Sequence, residues 1–181
     1  MNTRVIVLNG GSSSGKSSLA RALQSLLLLQ PWLTFGIDGL LEAMPPAAGD
    51  GGLGLDLAAD GTVSVGDAFR ALETAWMAGV AATVRAGAPV IVDDVFLSGP
   101  ASQQRWRDAL HGLDVLWVAV HCDPAAAAAR EAARPDRIPG MAADQAERVH
   151  HGVHYDLRVD TTRTPPADCA RAVTAFLADP S

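Results

Sequence analysis

The chain has 181 residues, 49% of them hydrophobic and 19% charged, which excludes a disordered polymer and matches the length of one domain around one core. A formal net charge of −6 excludes a protein that gains its affinity by neutralising many nucleic-acid phosphates, yet it is compatible with a small phosphate ligand held by local N–H groups and one or two cations. Two distant cysteines, Cys122 and Cys169, build neither a disulfide framework nor a zinc knuckle, and no apolar stretch reaches the roughly 18 residues that span a bilayer, so a cytoplasmic, membrane-free protein is expected.

Val5-Ile6-Val7-Leu8 is apolar, largely β-branched and followed by a Gly-Gly-Ser cluster, which predicts a strand buried on both faces. Residues 17–29 then carry apolar side chains at helical spacing, so strand, glycine loop and helix follow in order. A second strand is expected over 32–37, with Asp38 at its end and available as N-cap for a short helix over 39–44. Residues 45–66, rich in Gly, Ala and Asp, break the alternation. Within them 55–57 and 62–65 flank Asp60-Gly61 as the arms of a β-hairpin would, which favours a hairpin or flap insertion over a linker. A long helix over 67–85, a strand over 89–92 and a helix over 100–111 with proline in its first turn come next. The remainder predicts a strand over 113–121, helices over 124–133 and 141–151, a strand over 155–159 and a helix over 166–177. Strands separated by helices imply βαβ units, hence a single α/β domain over 1–181 with a central parallel sheet.

Gly10-Gly11-Ser12-Ser13-Ser14-Gly15-Lys16-Ser17 matches G-x-x-x-x-G-K-[ST] in full, and it stands between a buried strand and a helix, where the motif works. Such a loop turns consecutive N–H groups toward phosphate oxygens, its lysine reaches the β and γ phosphates, and its serine hydroxyl ligates Mg²⁺. Lys16 is the only lysine in the chain, and the Asn/Thr-Lys-x-Asp motif that reads guanine needs a second one, which favours ATP. Val90-Ile91-Val92-Asp93-Asp94 ends an apolar strand in two acids, the form that places Asp93 beside a metal shell. Asp38, at the carboxyl end of a parallel strand, would face the same crevice and could accept the proton of an attacking hydroxyl.

Arg130, Arg134 and Arg137 read either as a short lid over 130–140 that supplies cations to a moving phosphate, or as surface arginines paired with Glu131 or Asp136. His150 and His154 are four apart, but no third ligand follows at diagnostic spacing and Gly152 interrupts the helix, so surface or core-edge histidines are expected rather than a metal site. No G-x-S-x-G occurs for a serine hydrolase. Trp32, Phe35, Trp76, Phe96 and Met44 either line a substrate pocket or fill the core.

Residues 8–17, Phe35-Gly36-Ile37-Asp38 with Glu42-Ala43-Met44-Pro45, Ile91-Val92-Asp93-Asp94-Val95-Phe96-Leu97 and the stretch 130–137 together resemble the chloramphenicol phosphotransferase family, in order over nearly the whole chain. The resemblance implies a nucleoside-monophosphate-kinase-like P-loop fold, a three-layer α/β/α sandwich. It implies transfer of the γ-phosphate of ATP, with Mg²⁺, to the primary hydroxyl of chloramphenicol, which inactivates the antibiotic. In that comparison Asp38 matches the aspartate that deprotonates the hydroxyl, residues 10–17 match the P-loop, and Arg134 and Arg137 match arginines near the phosphates. Another small hydroxyl compound as acceptor, or a nucleotide-binding regulator without one, are the competing readings.

Overall fold

Five parallel strands form the central sheet in the order β2-β5-β1-β6-β7, with β1 in the middle. The computed structural model describes residues 3–45, 55–57, 63–133 and 140–178. Along the chain these form β1 (Val5–Asn9), α1 (Lys16–Leu26), β2 (Leu33–Gly36), α2 (Ile37–Ala43), β3 (Leu55–Leu57), β4 (Val63–Val65) and α3 (Asp67–Arg85). They continue with β5 (Val90–Asp94), α4 (Pro100–Ala109), β6 (Val115–His121), α5 (Pro124–Ala132), α6 (Met141–Arg148), β7 (Leu157–Asp160) and α7 (Pro166–Ala178).

All five residues of β1 are buried, as a central parallel strand covered on both faces requires. Its side chains alternate between two cores. Ile6 and Leu8 join Leu19 and Leu23 of α1 and Ala170 and Val173 of α7 on one face. Val5 and Val7 join Met77, Val80 and Val84 of α3 and Trp106 of α4 on the other. Helices on both faces of one sheet give the expected three layers.

Several expected boundaries shift: α4 ends at Ala109 instead of residue 111, β6 begins at Val115 instead of 113, α6 ends at Arg148 instead of 151, and β7 runs over Leu157–Asp160 instead of 155–159. Helix α1 stops at Leu26 instead of running to residue 29; Leu27 caps it and packs against the core, while Leu28 and Leu29 stand exposed beyond it. Strand β2 ends at Gly36, and α2 begins at once at Ile37 with extended Gly36 as its N-cap. Asp38 therefore lies inside the first helical turn, where a carboxylate meets the positive end of the helix dipole, and it is neither a strand terminus nor a cap. Strands β3 and β4 pair antiparallel, Leu55 with Val65 and Leu57 with Val63; the Asp60-Gly61 turn expected between them lies outside the described residues.

Two polar side chains tie the core at the carboxyl edge of the sheet. Asn9, 1% exposed at the end of β1, accepts from the Phe96 N–H at 2.9 Å and donates to the Val149 carbonyl at 2.9 Å and the Tyr155 hydroxyl at 2.5 Å. Asp94, at the end of β5, accepts from Trp106 Nε1 at 2.5 Å and from the Val95 N–H at 2.7 Å. Burial pushes the Asp94 carboxyl up from 3.8 to about 6, against the opposing pull of those two donors.

A carboxyl raised on folding stabilises the native state fully below its unfolded value, near pH 4, and loses that contribution as pH climbs through about 6. Asp94→Asn cannot titrate. Urea unfolding at pH 4 and pH 8 should therefore show the variant gaining on the wild type by on the order of 3 kcal/mol between the two conditions; an equal difference at both would mean that Asp94 does not titrate in the native protein.

Candidate active site

The loop after β1 curls back on itself before α1 opens at Lys16. Gly15 takes φ 90°, a left-handed conformation natural to glycine, and no side chain caps the helix it precedes. A Cβ on Gly10 would stand 2.5 Å from the Val120 carbonyl oxygen, so only glycine lets the loop leave β1 along β6. The Ser12, Ser13 and Ser14 hydroxyls are buried with no hydrogen-bond partner. Buried orphan donors around a helix N-terminus are a cradle suited to phosphate oxygens.

Lys16 Nζ donates to the Gly11 carbonyl at 2.9 Å and lies 3.9 Å from Asp93 Oδ1. Ser17 Oγ donates to Asp93 Oδ2 at 2.6 Å. The hydroxyl and the carboxylate expected to serve Mg²⁺ thus meet directly, one from α1 and one from β5, and they form the pair of hard oxygen ligands that this ion takes. Among the described residues no group of three His, Cys, Asp or Glu side chains is placed to hold a metal by itself. Two hard oxygens from the protein fit an ion such as Mg²⁺, which keeps several waters and takes phosphate oxygens among its ligands.

A cleft of about 1290 Å³ runs along this edge, lined by Ser12, Ser13, Gly15, Lys16, Ser17 and Asp93 at its centre. Toward β7 it is bounded by Arg130 and residues 161–166; toward β2 it is bounded by Asp38, Glu42, Phe69, Arg70, Glu73 and Arg105. Asp38 therefore opens into the same space as the P-loop. Of the five aromatic and methionine candidates, Phe35 lines this cleft. Trp76 packs edge-on against it at 5.9 Å, Phe96 is fully buried, and Trp32 and Met44 pack against core clusters.

Arg130 turns inward, its Nη2 donating to the Thr161 carbonyl at 2.6 Å and its Nη1 lying 3.3 Å from the Cys122 sulfur. It does not pair with Glu131, whose carboxylate accepts from the Gly140 and Ala142 N–H groups instead and caps the start of α6. Arg134 and Arg137 lie outside the described residues. His150 is a core-edge residue: its ring lies 4.0 Å from that of His121 and its Nδ1 is 2.8 Å from the Tyr155 hydroxyl. Burial, reinforced by His121 and Arg158, pushes His150 down to about 4, so it is neutral at physiological pH, and burial pushes the Tyr155 hydroxyl up to about 12.

Two residues that no motif announces hold the P-loop from outside. Gln145 of α6 accepts from the Ser12 N–H at 2.9 Å, and Thr161 Oγ1 lies 2.6 Å from the Ser14 carbonyl. Thr161 directly follows β7, and its place at the carboxyl end of a parallel strand was the one available signal. Gln145 carried none.

The sequence profile of the chloramphenicol phosphotransferase-like proteins matches residues 3–178. A Mycobacterium tuberculosis protein, whose name assigns it O-phosphotransferase activity only provisionally, is 35% identical over 190 residues, covering 93% of this chain and 79% of that one. Among solved structures, a sugar kinase from Janibacter sp. HTCC2649 aligns with a TM-score of 0.68 at 16% identity over 97% of this chain and 95% of its own. The APS kinase of Mycobacterium tuberculosis aligns with 0.65 at 17% identity over 98% of each chain, and a gluconokinase from Sinorhizobium meliloti 1021 with 0.63 at 21% over 97% and 91%. These likenesses establish the P-loop kinase fold; the profile match over nearly the full length, with the 35% identical relative, places the chain in the chloramphenicol phosphotransferase-like family.

Proposed function

We propose that the protein is a single-domain, ATP-dependent O-phosphotransferase that moves the γ-phosphate to a hydroxyl of a small molecule, in the cytoplasm and without nucleic-acid or membrane partners. The observation that carries this reading is one cleft in which Lys16, Ser17 and Asp93 surround the loop's orphan donors while Asp38 stands in the wall toward β2. Chloramphenicol, through its primary hydroxyl, is the first acceptor to test because the family likeness points to it. The charges on the acceptor wall favour a second reading, in which the acceptor is a different hydroxyl compound.

In this mechanism Gly10, Gly11, Ser12, Ser13, Ser14 and Gly15 would wrap the phosphates, Lys16 would hold the β and γ oxygens, and Ser17 with Asp93 would hold Mg²⁺. The ion, when bound with ATP, neutralises charge that builds on the transferring group. Asp38 orients the acceptor hydroxyl and takes its proton; the acceptor oxygen bonds to the γ-phosphorus as the bond to the β–γ bridging oxygen breaks, and ADP leaves. The family likeness would assign Arg134 and Arg137, which lie outside the described residues, to stabilising charge on the phosphates.

ADP release with ATP and Mg²⁺, with and without chloramphenicol, followed by mass analysis of the drug, tests this directly. Asp38→Ala should lower turnover roughly 10²–10⁴-fold while nucleotide binding, read with a fluorescent ATP analogue, is retained; retained phosphorylation would remove its role as base. Lys16→Ala should weaken nucleotide binding and transfer together, and unchanged kinetics would overturn the P-loop assignment.

A further inference from the structure

The wall of the cleft that faces the acceptor is built around one buried carboxylate. Glu73 of α3 is 6% exposed, and its Oε2 accepts from Arg70 Nη1 at 2.7 Å and lies 3.1 Å from Arg105 Nε of α4. A buried carboxylate needs a cation to offset its desolvation. One arginine would neutralise it; two leave the group with a surplus positive charge. Arg105 is held further by its Nη2 bond to Ser102 Oγ at 3.1 Å, and that hydroxyl accepts from the Ser98 N–H at 3.1 Å as well. The two arginine side chains stay 31% and 28% exposed, and both line the cleft. The result is a pair of pre-positioned guanidiniums with N–H donors to spare, the arrangement that recognises carboxylate and phosphate.

The other charges around this space set where an anion can lie. Asp38 and Glu42 face the cleft from α2; Asp93 of β5 is engaged with Ser17 and Lys16, and Asp94 with Trp106 and the Val95 N–H. An anionic group is repelled from the α2 side and drawn to the α3–α4 side, which leaves the neutral hydroxyl of the same molecule to meet Asp38. Phe35, Val65, Phe69 and Leu97 supply apolar wall between.

We propose that Arg70 and Arg105 form a subsite for an anionic group of the acceptor, carboxylate or phosphate, so that the preferred acceptor is a hydroxy acid or a sugar phosphate and not a neutral alcohol such as chloramphenicol. The inference rests on the phosphotransferase reading above and narrows its acceptor.

The test is ADP release with ATP and Mg²⁺ on matched sets: glycerol, glycerate and glycerol 3-phosphate; ribitol, ribonate and ribitol 5-phosphate; and chloramphenicol. In at least one set the carboxylate or the phosphate should exceed the neutral member at least about ten-fold in kcat/KM, the worth of one charge-assisted hydrogen bond, and which of the two wins identifies the anion. Arg70→Met and Arg105→Met should raise KM for that anion about ten- to a hundred-fold, leaving KM for ATP and for the neutral member unchanged. Arg70→Met leaves the bridge from Arg105 to Glu73 in place, so it carries the test if loss of Arg105 unfolds the protein. Anions no better than their neutral partners in every set, or an anion preference untouched in the arginine variants, overturns the subsite. Turnover of chloramphenicol alone overturns it while leaving the phosphotransferase standing; no ADP release with any compound removes both.

Discussion

The cleft depends on a polar end to an otherwise apolar strand. β1 is buried throughout, so Asn9 at its last position must satisfy its amide inside the protein or cost several kcal/mol of unpaid desolvation. It does so by reaching three partners distant in sequence: the Phe96 N–H after β5, the Val149 carbonyl after α6 and the Tyr155 hydroxyl before β7. One side chain thereby fixes the segments flanking the P-loop on both sides. Gln145 and Thr161, which hold the loop's own backbone, are carried by α6 and by the turn after β7, next to two of those fixed segments.

Charge is distributed with the same economy. The chain is acidic overall, yet the cleft takes seven of its fourteen basic residues and five of its twenty acids, counting only described residues. A local excess of cation inside an acidic surface draws anions to the cleft and away from the exterior. At the phosphate end this suits a nucleotide. The surplus at Arg70 and Arg105 belongs to the wall that α3 and α4 give the cleft.

How much of this was legible followed from range. The P-loop is a contiguous signal, and its strand-loop-helix context could be read from residues 5–29 alone; the alternation of strands and helices that sets the parallel sheet is equally local. Asp38 was found as a residue but misplaced by one element, because a strand that passes into a helix through a glycine N-cap has no side-chain cap to mark the change. Gln145 and Thr161 could not be read as P-loop supports, since their contacts join positions 133 and 147 residues apart and no pattern within a window reports them. The Glu73 pairing mixes the two cases. Arg70 with Glu73 is an i,i+3 helical pair visible in the sequence, but Arg105, which makes the wall cationic, arrives from a different helix.

The two acids that end β5 show why the P-loop wall and the α3–α4 wall of the cleft cannot be separated. Consecutive residues of a strand point to opposite faces, so adjacent aspartates are sent to different environments by geometry alone. Asp93 turns to α1, where Ser17 and Lys16 meet it, whereas Asp94 turns to α4, where Trp106 meets it at the cost of a raised pKa. Helix α4 also carries Ser102 and Arg105. The strand that sets the carboxylate facing Ser17 and Lys16 therefore also anchors the helix that presents half of the cationic wall, and both are referenced to β1 through the pairing of Leu8 with Asp93 and Asn9 with Asp94. A one-residue slip in that register would turn each acid to the opposite face, taking Asp93 away from Ser17 and Lys16 and Asp94 away from Trp106. The parallel register of β1 and β5 is thus a requirement of the cleft as well as of the fold.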